Sequence, residues 1–177
     1  EITNRTIHQR ELQEVLSRSD FTLDGLNAVT KKLWSLATAN DMIRRNAFFK
    51  SGHALTDIRA LLDDQGGVPI EVRVDDFIDA ASEHGYSPEK GGNPALVAQF
   101  ASALLSSRHP ARFVDFRANR WNDLYKEVTE SNGVLLRGDQ YGHMLVRAGS
   151  FAALLAKTPT FEEYFGTSDN LWSAAGL

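Results

Sequence analysis

Apolar residues along this chain recur every three or four positions, the spacing of helices that bury one face. Leu12, Val15 and Leu16 form a first short stripe, and Leu23, Leu26, Val29, Leu33 and Leu36 a second. Thr22 stands just ahead of the second stripe as an N-cap, since its hydroxyl can accept from a backbone N–H that lacks a helical partner. Ala54, Leu55, Ile58, Leu61 and Leu62 make a third stripe, stopped by Gly66-Gly67. The best-marked start lies further on. Gly91-Gly92 break the chain, Asn93 caps, and Pro94 takes the first helical position, where a missing N–H costs nothing. Leu96, Val97, Phe100, Ala101, Leu104 and Leu105 follow on one face, and the other face is mostly Ala, Ser and Gln, which predicts a central helix. Pro110 closes it. Two more stripes run through Trp121, Leu124, Tyr125 and Val128, and through Met144, Leu145, Ala148, Phe151, Leu154 and Leu155. Pro159 sets these apart from short segments at 160–165 and 169–175.

One stretch breaks the helical rhythm. Ile70, Glu71, Val72, Arg73 and Val74 alternate strictly, which is a strand signal. No convincing partner strand is present, so 70–74 is read as an extended lead-in to a helix carrying Phe77, Ile78 and Ala81. A short β pairing with Val134-Leu135-Leu136 stays open. The pattern as a whole predicts a compact, mainly-α single domain over residues 1–177, with about seven or eight helices.

Composition narrows the class. A length of 177 residues suits one domain, and 42% hydrophobic against 24% charged residues is enough apolar material for a core. The chain has no cysteine, which excludes disulfides, thiolate metal sites and a cysteine nucleophile, and fits a reducing compartment such as the cytoplasm. No apolar run is long enough to span a membrane, and the N-terminus lacks a signal-peptide pattern. Glu1 replaces an initiator Met and the chain stops soon after Leu171-Trp172, so a module excised from a longer protein is expected.

Catalytic motifs are missing: there is no phosphate-binding Gly-rich loop, no H-E-x-x-H and no G-x-S-x-G. The five histidines (His8, His53, His84, His109, His143) show no helical pairing, so no metal site and no cofactor is expected. Asp63, Asp64, Glu71, Asp75, Asp76 and Asp79 could in principle hold a divalent metal for hydrolysis, but a solvated acidic helix start accounts for them better.

The net charge of -4 hides a segregation. Residues 57–89 carry nine acids against Arg59 and Arg73. Residues 108–126 carry Arg108, Arg112, Arg117, Arg120 and Lys126 against Asp115 and Asp123, interleaved with Phe113, Phe116, Trp121 and Tyr125. Arg44, Arg45 and Lys50 form a second basic run. Arginine forks suit phosphates and aromatic rings can stack on bases, so these eight cations are the candidate DNA contacts. Core packing for Trp121 and Tyr125, and a buried loop anchor for Phe113 and Phe116, are the competing roles for the aromatics.

The segment Leu104-Leu105-Ser106-Ser107-Arg108-His109-Pro110-Ala111-Arg112-Phe113-Val114-Asp115-Phe116-Arg117 resembles a pattern in the N-terminal regions of McrB-type AAA+ GTPases of modification-dependent restriction systems. Pro110, Arg112, Phe113, Phe116, Arg117 and Tyr125 occupy the matching places, and Leu171-Trp172 is a weak version of a later signature. Residues 1–90 carry no such likeness, and 129–136 depart from the pattern. The resemblance implies a non-catalytic bacterial module that binds DNA, modified or not, in front of a motor on the same chain and beside a nuclease subunit. Some such modules flip a modified base into an aromatic pocket. The alternative is an assembly module that joins proteins through its acidic and basic segments and touches no nucleic acid.

Overall fold

A computed structural model describes residues 2–33, 39–64, 66–86, 94–113, 115 and 138–155. Within them the chain is a bundle of seven helices: α1 (Ile2–Ser17), α2 (Leu23–Leu33), α3 (Ala39–Lys50), α4 (Ala54–Leu62), α5 (Ile70–Glu83), α6 (Pro94–Arg108) and α7 (Gly138–Leu155). No strand occurs among the described residues. The predicted helices around Trp121 and at 160–175 lie outside them, as do Asn93, Phe116, Trp121 and Tyr125.

Local signals fix several boundaries. Thr22 Oγ1 accepts from the Gly25 N–H at 3.2 Å, the N-cap bond expected at the start of α2. Pro94 is the first residue of α6. The α4–α5 connection turns at Gly67, whose φ of 66° lies where a side chain would be strained. Gly85, with φ of 131°, ends the turn after α5; a Cβ there would sit 2.9 Å from the Phe48 backbone nitrogen, so α3 passes too close for any other residue.

The central position of α6 follows from its composition. It packs against α1, α4 and α5, burying Val97, Phe100, Ala101, Leu104 and Leu105 on one side and Ser102, Ser106 and Ser107 on another. Small residues on the second side let neighbouring backbones approach. Leu12 and Leu16 of α1, Ile58 and Leu61 of α4, and Val74, Phe77 and Ile78 of α5 complete the core. Phe48, Phe49, Phe100 and Phe77 form a closed ring of edge-on and tilted contacts.

Residues 70–74 are helical, not extended, which corrects the lead-in and removes the β pairing. Pro69 holds an extended conformation just before Ile70 and the helix begins at once. Five residues cannot separate a period of 2 from one of 3.6. Over the full helix, Ile70, Val74, Phe77, Ile78 and Ala81 share the inner face, and Val72 is left 46% exposed.

The start of α7 meets the start of α5 with no room to spare. A Cβ on Gly138 would overlap the Glu71 carbonyl oxygen and lie 2.6 Å from its carbon. The Gly138 N–H also donates to Asp75 Oδ1 at 2.9 Å, so Asp75 supplies an acceptor for an N–H at the start of α7. Gly138→Ala must push helical backbone apart and is expected to cost about 1–3 kcal/mol. The atoms nearest a Cβ on Gly142 belong to the flexible side chain of Glu71 rather than to backbone, so Gly142→Ala should cost less. Thermal melts of the two variants check this, and equal midpoints would contradict the tight crossing.

Candidate functional site

The sequence offers cations as candidate contacts; the fold spends one of them, Arg108, on a helix end, and uses Arg73 in the same way. An α-helix leaves its last carbonyls without partners. Arg108, in the last turn of α6, donates from Nη1 to the Leu16 carbonyl at the end of α1. Arg73 does the same for α4, donating from Nη1 to the carbonyls of Leu61 at 2.9 Å and Asp63 at 2.8 Å. Its Nη2 pairs with Asp64 Oδ1 at 3.0 Å, and the side chain is only 8% exposed.

Asp64 is the hub of this arrangement. Its second oxygen accepts from Arg112 Nη1, and His109 Nε2 lies 3.3 Å away without the alignment of a hydrogen bond. One carboxylate therefore serves the buried Arg73, the outward Arg112 and the His109 ring. The node joins the α4–α5 connection to the turn after α6, where Phe113 is buried as an anchor, its ring 6.0 Å from that of His109.

Burial holds the His109 imidazole below its ordinary 6.5; Asp64 opposes that shift, and Arg108, Arg112 and Arg73 reinforce it. The folded state thus favours neutral His109, whereas the unfolded chain takes up a proton near pH 6.5. Between the two values the unfolded state binds more protons, so the contribution of His109 is complete above pH 6.5 and is lost as pH falls through the lower folded value. His109→Gln should flatten the fall in stability between about pH 7 and about pH 5. Urea midpoints across that range test it; an unchanged slope would remove His109 as the source.

The candidate DNA contacts divide sharply. Arg108 is committed to an internal partner, and Arg112 pairs with Asp64 while its side chain stays 60% exposed. Arg45 is corrected outright: it is 1% exposed and cannot reach a phosphate. Lys50 is exposed and Arg44 is partly buried. Arg117, Arg120 and Lys126 lie outside the described residues. The aromatic cluster around Arg45 encloses about 10 Å³, room for one water and far too little for a base.

Two features were not expected. His53 and His84 are brought together, their rings stacked 4.2 Å apart, and the Asp57 carboxylate accepts from His84 Nδ1 at 2.8 Å. This ties the first turn of α4 to the end of α5. Among the described residues no group of three or more His, Asp or Glu could hold a metal. The second feature is an open groove of about 370 Å³ between α4 and α5. Ala60, Phe77 and Ala80 are among its apolar lining, and Asp57, Asp63 and Asp76 supply carboxylates. The linear signal for it was the acidic run itself.

The chain matches no protein-family model, no curated protein and no solved structure. No helix among the described residues is long and apolar enough to cross a membrane.

Proposed function

We propose that this domain is a non-catalytic protein-interaction and assembly module that works without contacting nucleic acid. The observation that carries the reading is the use of Arg108 and Arg112. Both belong to the segment best suited to phosphates, yet one caps α1 and the other pairs with Asp64 of the acidic segment. Affinity for DNA rests on cations free to replace counterions along the backbone. The helix cap takes Arg108 out of that supply, Asp64 offsets the charge of the exposed Arg112, and Arg45 is buried. The outward face of α4 and α5 meanwhile carries acids, which repel phosphate and attract cationic protein surfaces. Given the resemblance over 104–117, such a module would act in the cytoplasm, in front of an AAA+ motor and beside a nuclease subunit.

Fluorescence anisotropy with methylated and unmethylated duplexes, at low and moderate salt, tests this directly. The expected result is no binding of either duplex. Salt-sensitive binding at low salt would return the DNA reading, with Arg117, Arg120, Lys126 and Lys50 as the cations to mutate.

A further inference from the structure

His53 and His84 lie face to face, their ring centres 4.2 Å apart and their planes 15° from parallel. Histidine is the side chain that gains its charge in mild acid. The stack tolerates one such charge. His84 Nδ1 lies 2.8 Å from Asp57 Oδ2, so a single imidazolium has a carboxylate at its edge and a neutral ring on its face. Two charges do not fit. Two cations would then face each other at the stacking distance with one carboxylate beside them, and at the effective dielectric of a protein surface they repel strongly.

The backbone decides which ring gives way. His84 is the C-cap of α5, and its N–H donates to the Ala80 carbonyl at 2.8 Å. Gly85 behind it is pressed onto α3, where a Cβ would lie 2.9 Å from the Phe48 nitrogen. Tyr86 follows, buried, with its N–H donating to the Ala81 carbonyl at 2.7 Å. His84 is therefore held from both sides. His53 is exposed and caps α4 without a side-chain bond. Its backbone ties are two, from its own N–H to Ser51 Oγ at 3.2 Å and from the Asp57 N–H to its carbonyl at 3.0 Å. Gly52 precedes it with φ of 80° and open space where a Cβ would stand. The charged groups flanking the pair are Asp57 from α4, Glu83 from α5 and Lys50 from the end of α3, the last two exposed.

We propose that the His53–His84 stack is a proton-operated latch between the start of α4 and the end of α5. It stays closed while the pair carries at most one charge. A second proton turns His53 outward about Gly52, because His84 cannot move. The His53 carbonyl is the acceptor for the Asp57 N–H, so the movement frays the first turn of α4. Asp57 also lines the groove between α4 and α5, and the latch thereby sets the shape of that end of the groove.

Amide hydrogen exchange of the full chain, resolved by residue and corrected for the intrinsic effect of pH, tests this. From about pH 7.5 to about pH 5.5 the protection of the Asp57 N–H should fall about tenfold, while the Tyr86 N–H keeps its own. His53→Phe leaves a ring on His84 but takes up no proton, and should hold Asp57 protected at the lower pH. His53→Ala removes the stack and should leave Asp57 poorly protected at both. His143→Gln, at an exposed position of α7, and His109→Gln, at the Asp64 node, should respond as the parent protein does. Circular dichroism melts confirm that each variant folds.

The latch is overturned by unchanged Asp57 protection in the parent protein, or by a loss that persists in His53→Phe. A loss shared equally by Tyr86 would mean global unfolding, and a loss abolished by His109→Gln would assign the response to the Asp64 node; either result overturns it too. None of these measurements involves a partner or a duplex, so the latch and the assembly reading fail separately.

Discussion

Asp64→Ala should destabilise the domain by about 3–5 kcal/mol, the scale expected when a buried ion pair loses one member. The cost falls on Arg73. Its guanidinium keeps the Leu61 and Asp63 carbonyls but loses the only carboxylate it pairs with among the described residues, while 8% exposed. Arg112 loses the same partner but is 60% exposed and regains water. Arg112→Ala should therefore cost no more than about 1 kcal/mol. Asp64→Asn should fall between, since an amide oxygen can still accept but carries no charge. The sharpest variant is Asp64→Leu with Arg73→Met, which replaces both charges with apolar volume and should recover much of the loss. Urea unfolding of the set, with unchanged slopes, measures these differences. An Asp64→Ala midpoint close to that of the parent protein would show that the backbone carbonyls alone satisfy Arg73.

The helices that packing alone defines were legible in the chain. Thr22 and Pro94 mark the starts of α2 and α6, and α4 stops at Leu62, four residues ahead of Gly66-Gly67. Two failures share one cause, the entry of arginine into the interior. Among the described side chains of α3 the buried ones are Arg45, Phe48 and Phe49, and Ile43 is 66% exposed, so no apolar stripe marks it. In α5 the alternation of 70–74 put Arg73 on a polar face. A helical count places 73 beside 70, 74 and 77, on the inner side. The candidate site was legible as charge segregation but not as its result. Two segments of opposite sign could meet within one molecule or between molecules, and composition does not choose. The Asp64–Arg112 pair joins them within the chain, 48 residues apart in sequence. The stacking of His53 on His84 had no linear cue, because 31 positions separate them.

Arg45→Ala is expected to cost about 3–5 kcal/mol, and to do so without any bearing on nucleic acid. If Arg45 were a phosphate contact, its removal would leave stability unchanged and weaken binding. Instead its guanidinium donates to Asn27 Oδ1 at 2.8 Å, the Asn27 carbonyl at 2.9 Å, Asn46 Oδ1 at 3.1 Å and the Thr30 hydroxyl. Thr30 in turn donates to the Leu26 carbonyl at 2.6 Å, so the charge ends a polar chain that joins α3 to α2. The cation also stands 4.3 Å from the Phe49 ring centre. No carboxylate pairs with it among the described residues, and burial lowers its pKa to about 10, which still leaves it protonated at neutral pH. Truncation to alanine leaves a void and strips the Asn27 oxygens of their donors. Arg45→Met fills the void and removes the buried charge, so it should cost less than alanine, about 1–2 kcal/mol for the acceptors left unpaired. Arg45→Lys keeps the charge but loses the planar fork that reaches Asn27 and Thr30 together, and should fare no better than methionine. Guanidinium unfolding ranks the three. A parent-like midpoint for the alanine variant would mean that α2 and α3 hold together without this contact, whereas alanine far below methionine would show that Arg45 is retained chiefly for the space it fills.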